Sequence, residues 1–300
     1  MRLLVIGSKG FIGINCVERL SQNHEVWQCD IMPHDESANY FHIDSNTPDF
    51  SSIFLDYKFD ACINCSGAAN VPLSLSQPAV DFKLNTTNVF LLLDAIRTYN
   101  PACKFLNLSS AAVYGNPRTL PVQEGQTVAP VSPYGYHKLM AETICMEFYQ
   151  FWNIPTCSLR IFSAYGPGLK KQLLWDISQK LRLNSGQLDL FGTGKETRDF
   201  IYIDDLVDLI DIIITKASFN GEIINAASGS QTSVSEIAEL MKINLESNAH
   251  TMFTGANREG DPLYWQADVS IIHELGFIPK VNIIDGVKNY CVWLKENGLY

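Results

Sequence analysis

The chain has 300 residues, of which 46% are hydrophobic, and its formal net charge is -10 at pH 7. This length suits one large domain or two unequal ones. The acidic balance, with no cluster of lysine and arginine, argues against a nucleic-acid-binding surface. No apolar run approaches the roughly 20 residues of a membrane-spanning helix. The N-terminal apolar run is too quickly broken by glycine to predict a signal peptide.

The cysteines lie mostly inside apolar runs. Cys62 and Cys65 form a CxxC pair, but the pair lies within a strand-like run and no second pair or histidine cluster accompanies it. We therefore expect buried free thiols in a reducing cytoplasm, and no metal site.

The first part of the chain predicts a strand, a glycine turn, a helix and a second strand. Leu3–Ile6 is a short apolar run, Glu25–Cys29 is another, and Asp30 follows the second run. Between them the turn contains three glycines at a spacing of three, Gly7, Gly10 and Gly13. Glycines at this spacing permit a tight turn and close approach of backbone to a pyrophosphate, and the helix N-terminus supplies free N–H groups. The segment therefore predicts a dinucleotide-binding site, with Asp30 accepting hydrogen bonds from a ribose.

Two charged residues bear on the choice between NAD and NADP. Lys9 precedes Gly10 and could reach a ribose phosphate, which would favour NADP. Asp30 would repel that phosphate, and no arginine or lysine follows it before residue 40. We expect NAD, with NADP possible because of Lys9.

The alternation of strands and helices continues to about residue 165 and predicts a Rossmann-type α/β fold with a doubly wound parallel sheet. Further predicted strands are Tyr40–Ile43, Asp60–Cys65, Cys103–Leu108 and Pro155–Ile161, and the long predicted helices are Ala79–Tyr99 and Tyr134–Trp152. Beyond residue 167 the rhythm of strands and helices changes, which predicts a smaller C-terminal domain. We expect residues 1–165, with return segments at about 203–227, to bind NAD, and residues 166–202 and 228–300 to bind substrate.

A tyrosine and a lysine stand four residues apart at the start of a predicted helix. Tyr134 and Lys138 would share one helical face, where the ammonium could lower the pKa of the phenol. Tyr136 has Met140 at the matching position and therefore has no basic partner in register. The pair therefore predicts general-base chemistry on a sugar hydroxyl. Elsewhere, Ser109 and Ser110 stand at the carboxyl end of a predicted parallel strand, which is where open α/β sheets place their ligands.

Several motifs in order along nearly the whole chain resemble the extended short-chain dehydrogenase/reductase family, in particular its NAD-dependent epimerases and dehydratases of nucleotide sugars. The motifs are Gly7-x-x-Gly10-x-x-Gly13, Ser110-Ala-Ala-Val-Tyr-Gly115, Tyr134-x-x-x-Lys138, Phe191-Gly-Thr-Gly-Lys-Glu-Thr-Arg-Asp-Phe200 and Arg258-Glu-Gly-Asp261 followed by Tyr264-Trp265. The last is similar to a motif of UDP-galactose 4-epimerases.

The resemblance implies roles for individual residues. The catalytic residues would be Ser110, Tyr134 and Lys138. The cofactor contacts would be Gly7, Gly10, Phe11, Ile12, Gly13, Asp30, Asp44 (near the adenine), Ala68, Ala69, Asn85, Lys138 and Phe162. The substrate contacts would be Ser74, Ser110, Ser163, Arg198, Arg258 and Asp261, the two arginines holding the diphosphate of a nucleotide-diphosphate sugar.

Departures from the family pattern narrow the expected reaction. In dehydratases of this family an acid–base pair follows the catalytic serine or threonine, and Ala111 and Ala112 occupy those two positions here. Where the epimerases have an asparagine that touches the substrate, this chain has Ser163. The resemblance implies epimerisation, at C4 of a hexose, with tightly bound NAD. The alternative is an NAD(P)H-dependent reductase of a nucleotide-linked 4-keto-6-deoxy sugar. A non-catalytic binding protein is disfavoured by the intact Tyr134 and Lys138. The resemblance also implies a homodimer formed through the two long helices.

Overall fold

The structure, a computed structural model, describes residues 1–33, 39–184, 186–256, 260 and 262–300. The strands are β1 (Arg2–Ile6), β2 (Glu25–Asp30), β3 (Tyr40–His42), β4 (Ala61–Asn64), β5 (Lys104–Ser110), β6 (Thr156–Ile161), β7 (Ser163–Tyr165), β8 (Gln187–Leu190), β9 (Thr197–Tyr202), β10 (Asn220–Ala226), β11 (Gln231–Ser233) and β12 (His250–Phe253). The α-helices are α1 (Phe11–Leu20), α2 (Ser51–Asp56), α3 (Val71–Ser76), α4 (Pro78–Phe82), α5 (Asn88–Tyr99), α6 (Pro133–Trp152), α7 (Gln172–Leu183), α8 (Ile203–Lys216), α9 (Val234–Leu245), α10 (Ser270–Glu274) and α11 (Ile283–Glu296).

The main sheet has seven strands in the order β10-β6-β5-β4-β1-β2-β3, and all neighbouring pairs are parallel. Every residue of β4 and β6 is buried, as expected for parallel strands covered by helices on both faces. The chain leaves β1 toward β3 and then crosses back to β4, β5 and β6. This is the expected doubly wound Rossmann-type sheet, and the predicted fold class is confirmed.

The second half of the chain contributes to the main sheet and to two smaller ones. Strand β10 lies beside β6 at the edge of the main sheet. Strands β11, β9 and β7 form a three-stranded sheet, and β12 pairs with β8. Because β7 begins two residues after β6 ends, the chain passes directly from the main sheet to the smaller one at Phe162. The carboxyl end of β6 therefore leads directly into the smaller sheet.

The helical segment predicted over Ala79–Tyr99 is divided in the structure. Helix α4 is followed by a π-helical turn, Lys83–Thr87, before α5 begins. Within this turn Asn85 donates from Nδ2 to the carbonyl oxygen of Ala68, at 3.2 Å, and to Asp81, at 3.0 Å. A π turn inserts one residue into the helix and redirects its side chains. Here it directs Asn85 toward the loop that follows β4.

A buried ion pair joins α6 to the sheet. Arg160 on β6 makes two parallel hydrogen bonds to the carboxylate of Glu142, at 2.9 and 2.7 Å, and each side chain is 3% exposed. Ser109 on β5 also donates to Glu142. Such pairing offsets the cost of removing both charges from water. The pair fixes the rotation of α6 relative to β5 and β6.

Within the described ranges, no helix has the length and apolar character needed to cross a membrane, and no group of three or more histidine, cysteine or acidic side chains could hold a metal ion. All 8 cysteines are free thiols. Cys65, at the end of β4, is partly exposed, and the others are buried.

Replacing Glu142 with glutamine should lower the free energy of unfolding by about 3–4 kcal/mol, because it leaves the Arg160 guanidinium buried without a counter-charge. Urea denaturation measures the loss. The matched control is Asp176→Asn, which removes a partner of Lys180 in a partly exposed pair on α7 and should cost less than about 1 kcal/mol. Equal losses in the two variants would contradict the structural role given to the buried pair.

Candidate active site

The glycine turn between β1 and α1 is built so closely that side chains would not fit. Gly7 has a φ of +76°, and a Cβ atom there would lie 2.7 Å from the backbone nitrogen of Ser66. A Cβ on Gly13 would lie 2.1 Å from the carbonyl oxygen of Gly7. The Ser8 hydroxyl is buried and has no partner among the described residues. The turn thus presents backbone without side chains before a helix N-terminus, and it leaves one buried hydroxyl without a partner among the described residues. Both features fit the binding of a dinucleotide pyrophosphate.

Asp30 lies at the end of β2, beside this turn. Its carboxylate accepts hydrogen bonds from the backbone N–H groups of Lys9, at 2.9 Å, and Met32, at 3.1 Å. Each carboxylate oxygen has a second lone pair, so the group can still accept from ribose hydroxyls. The Lys9 ammonium donates to Gln28 at 3.2 Å and lies 5.2 Å from the ring centre of Tyr40. Lys9 is thus held by protein groups beside a carboxylate, an arrangement that favours NAD over NADP.

The other predicted cofactor residues lie along the same edge of the sheet. Phe11 and Ile12 begin α1 and pack on the core. Ala68 and Ala69 follow β4, where Ala68 receives the Asn85 hydrogen bond. Phe162 is buried between β6 and β7. Asp44 is exposed after β3 and accepts from residues 46 and 47, so its predicted contact with an adenine stays a prediction.

Ser110 and Tyr134 are brought together by two local features of the chain. Ser110 ends β5, and its Oγ accepts from the N–H of Ala112 in the 3-10 turn that follows. Gly135, next to the tyrosine, packs so closely that a Cβ atom would lie 2.6 Å from the Ala112 carbonyl oxygen. Helix α6 therefore begins in contact with the end of β5. The Ser110 side chain lies there beside the Tyr134 phenol and acts to lower its pKa.

Lys138 lies one turn further along α6 and is buried. Its ammonium donates to the Leu108 carbonyl oxygen of β5 at 2.8 Å. It also faces the loop after β4, because a Cβ on Gly67 would lie 3.6 Å from Nζ. The pair predicted from the spacing is thus oriented toward the sheet, between β5 and the glycine-containing loop after β4.

Burial dominates the ionisation of both members of the pair. It raises the pKa of Tyr134 to about 12, while the hydrogen bond from Ser110 acts in the opposite direction. It lowers the pKa of Lys138 to about 8, and the largest opposing influence is the charge of Asp81. The expectation that Lys138 lowers the pKa of the phenol is therefore wrong as a net effect, because removing the phenolate from water costs more.

Three side chains next to the pair, those of Asp81, His137 and Glu142, were not predicted from the sequence. Asp81 on α4 is fully buried and bonds to Asn85 and to His137 Nδ1. Glu142 lies one turn beyond Lys138 on α6. Its position, eight residues after Tyr134, is a signal that helical spacing could have provided. No such local signal exists for Asp81, whose partner His137 is 56 residues away.

The predicted substrate residues are less closely grouped. Ser74 is buried, and its hydroxyl donates to the Val71 carbonyl at 2.7 Å. Ser163 begins β7, directly after β6. Arg198 on β9 donates to the Thr197 carbonyl at 2.9 Å, and its guanidinium lies 5.7 Å from the ring centre of Trp265. Two further candidates, Arg258 and Asp261, lie outside the described residues. The substrate roles of this set stay predictions.

The chain is similar to known proteins along most of its length. Residues 3–227 match the family model described as the NAD dependent epimerase/dehydratase family. The UDP-glucose 4-epimerase of Lactobacillus helveticus is 28% identical, over 96% of this chain and 94% of that protein. The UDP-glucuronate 4-epimerase of Thermodesulfobacterium geofontis is 26% identical, over 98% and 96%. The crystal structure of UDP-glucuronic acid 4-epimerase from Bacillus cereus, in complex with UDP-glucuronic acid and NAD, superposes with a TM-score of 0.89 at 27% identity and 100% coverage of both chains.

Replacing Lys138 with methionine should raise the free energy of unfolding at pH 7 by about 1–3 kcal/mol, because a buried ammonium is removed. In the folded protein the pKa of this lysine falls from its ordinary 10.5 to about 8. The native ammonium is therefore a cost below pH 8, and the cost disappears as the pH rises toward 10.5. Urea denaturation across this range should show the gain of the variant shrinking with pH.

The control for this measurement is Lys288→Met on α11, where the lysine is exposed. It should change stability by less than about 0.5 kcal/mol at any pH in the range. A difference between Lys138→Met and wild type that does not depend on pH would contradict the interpretation.

Proposed function

The chain belongs to the NAD dependent epimerase/dehydratase family, and from this membership we propose that it is a nucleotide-sugar epimerase that inverts C4 of a hexose with NAD. The observation that carries the proposal is the meeting of Ser110, Tyr134 and Lys138 at the carboxyl end of β5. Open α/β sheets bind their ligands at this end of their strands. The dinucleotide turn and Asp30 lie at the corresponding ends of β1 and β2.

The residues that would hold NAD are those of the glycine turn, Asp30, and the loop that follows β4. When bound, NAD supplies a hydride acceptor that takes a hydride from the sugar and returns it. Asp30 binds the ribose, and the N-terminus of α1 binds the pyrophosphate. Asn85 holds the Ala68 carbonyl in place and so fixes the loop beside Lys138.

Tyr134 acts as the general base that removes the proton from the sugar hydroxyl, and later returns a proton to the same oxygen. A phenol whose pKa is raised to about 12 needs nearby positive charge to ionise, and the Lys138 ammonium provides it. Ser110 hydrogen-bonds the phenol and stabilises charge on the reacting oxygen. Burial strengthens each of these interactions because water does not screen them.

Inversion also requires that the oxidised sugar present its other face while the nucleotide stays bound. We propose that Arg198, with Arg258, holds the diphosphate, since guanidinium groups bind phosphate oxygens in pairs. We further propose that residues 166–202 and 228–300 form the substrate-binding part, and residues 1–165 with 203–227 the NAD-binding part. Ala111 and Ala112 provide no acid or base for eliminating water, which favours epimerisation over dehydration. The burial of the free cysteines supports a reducing compartment such as the cytoplasm.

The protein is also proposed to be a homodimer. Helices α5 and α6 pack side by side and carry exposed apolar side chains, which are Phe90, Leu91, Met140, Phe151 and Trp152. Apolar side chains grouped in this way typify surfaces that bind a protein partner. Two such helices from each copy would form a four-helix bundle.

Sedimentation of the purified protein tests this proposal. We expect a dimer at micromolar concentration and a monomer for the double variant Phe90→Glu/Met140→Glu, since charge would be buried at the interface. The control, Leu183→Glu, places a charge at an exposed apolar position on α7 and should leave the dimer intact. A monomeric wild type would contradict the proposal.

Replacing Tyr134 with phenylalanine should lower the rate of epimerisation at least about 10³-fold, since the base is removed, while NAD stays bound. Turnover is measured with UDP-, dTDP-, GDP- and CDP-hexoses, and bound cofactor is identified by mass. The control on the same helix is Tyr136→Phe, where the tyrosine is half exposed and activity should be unchanged.

Near-normal turnover in Tyr134→Phe would contradict the assignment of the base. The same assay separates an epimerase from the alternative reductase. An epimerase converts the sugar without added reductant, whereas a reductase consumes NADH or NADPH in proportion to product.

A further inference from the structure

A second buried acid–base pair lies behind the catalytic side chains. Asp81 on α4 has no exposed surface, and its Oδ2 lies 2.5 Å from Nδ1 of His137 on α6. Its Oδ1 accepts from Asn85 Nδ2 at 3.0 Å. The His137 side chain is 12% exposed. Burying a carboxylate this deeply costs free energy unless its charge is paired. None of the roles proposed above involves this carboxylate.

The pair is connected to the catalytic lysine through a short set of contacts. His137 precedes Lys138 on α6 and lies three residues after Tyr134. Asn85 donates to the Ala68 carbonyl and to Asp81, while its Oδ1 is buried without a partner among the described residues. A Cβ on Gly67 would lie 2.6 Å from that oxygen and 3.6 Å from Lys138 Nζ. The carboxylate, the amide and the ammonium therefore lie in one buried cluster.

We propose that Asp81, held in place by His137, is a positioning residue whose negative charge keeps Lys138 protonated beside Tyr134 and whose hydrogen bond orients Asn85. The proposal rests on the function proposed above for Tyr134 and Lys138. It adds a residue that touches neither substrate nor cofactor and acts through the lysine.

Two acids, Asp81 and Glu142, lie near Lys138, and Asp81 acts more strongly on the charge of the lysine. Burial is the largest influence on the pKa of this lysine and lowers it, while Asp81 raises it more than Glu142 does. Glu142 is already neutralised by the two hydrogen bonds from Arg160. Asp81 has no lysine or arginine bonded to it among the described residues, and its partners are the His137 ring and the Asn85 amide.

The remaining groups that face Lys138 are thiols. Cys145 on α6 and Cys65 after β4 influence it less than either carboxylate. Burial raises the pKa of the Cys145 thiol, and a hydrogen bond with Cys16, together with burial, raises the pKa of the Cys65 thiol. They therefore stay uncharged near neutral pH. Asp81 is the anion whose field reaches the ammonium with least compensation.

Removing the Asp81 charge has a defined consequence for the pair. Asp81 raises the pKa of Tyr134 as well as that of Lys138, although burial and the Ser110 hydrogen bond affect the tyrosine more. Without this charge both groups lose their protons at lower pH. The Lys138 ammonium, which stabilises the phenolate, is then lost at lower pH, so the pH range in which the base is available moves down.

The test is the pH profile of kcat in Asp81→Asn, which removes the charge but keeps the shape of the side chain and one acceptor oxygen for Asn85. We expect both limbs to move to lower pH by about 0.5–1 unit and the maximum kcat to fall about 3- to 30-fold, with KM within about twofold. The matched control is Asp205→Asn. It removes another buried carboxylate, which accepts from backbone N–H groups at residues 280 and 281, and should leave the profile in place.

A fall in kcat with an unmoved profile in Asp81→Asn would overturn the proposal, since a merely structural role predicts that result. If this variant does not fold, His137→Lys places a permanent cation beside Asp81 and must shift the profile in the same direction; an unmoved profile overturns the proposal there too. The Tyr134→Phe variant distinguishes failure of the positioning role from failure of the proposed function. If it is inactive while Asp81→Asn is unshifted, the positioning role alone fails, whereas an active Tyr134→Phe refutes the proposed function.

Discussion

The burial of the Lys138 ammonium is the constraint on which the architecture of the site depends. An ammonium removed from water needs hydrogen-bond acceptors and negative charge within a few ångströms. The Leu108 carbonyl at 2.8 Å supplies the acceptor, and the negative charge comes chiefly from Asp81, because Glu142 is paired with Arg160. Because these groups come from β5, α4 and α6, the lysine joins the sheet and two helices. The same burial makes its charge effective toward Tyr134, since water does not weaken the interaction.

The two carboxylates near this lysine are compensated in different ways. Glu142 is fixed by the guanidinium of Arg160, whose charge does not change at any pH the protein experiences. Asp81 is bonded to the His137 ring and the Asn85 amide, with no lysine or arginine bonded to it among the described residues. The first arrangement sets the orientation of α6 on the sheet. The second leaves a net charge available to the catalytic pair, at the cost of burying it. In the proposed mechanism Glu142 thus serves stability, and Asp81 serves the Tyr134–Lys138 pair.

The sequence predicted those parts of the site that local patterns encode. The glycine turn, Asp30, Ser110 and the Tyr134–Lys138 spacing each depend on residues that are near one another in the chain, and the fold places them as expected. The π turn at Lys83–Thr87 leaves no mark in the periodicity of apolar residues, so the helix was predicted as continuous. Asp81 acquires its role from tertiary contacts across α6. The direction of the Tyr134 pKa was also missed, because it depends on burial that spacing does not report.

The division of contacts between the two parts of the site bears on the reaction. A reductase and an epimerase share Ser110, Tyr134 and Lys138, so these side chains do not separate them. An epimerase must hold its substrate while the hexose turns, and this is possible only if the firm contacts are made to the nucleotide diphosphate. A guanidinium such as that of Arg198, on β9 of the smaller sheet, gives firm binding of that kind. Ala111 and Ala112, which follow Ser110, carry no acid or base for eliminating water. The proposal of epimerisation over dehydration therefore rests on the side chains missing beside this serine, and its distinction from reduction rests on how firmly the nucleotide diphosphate is held.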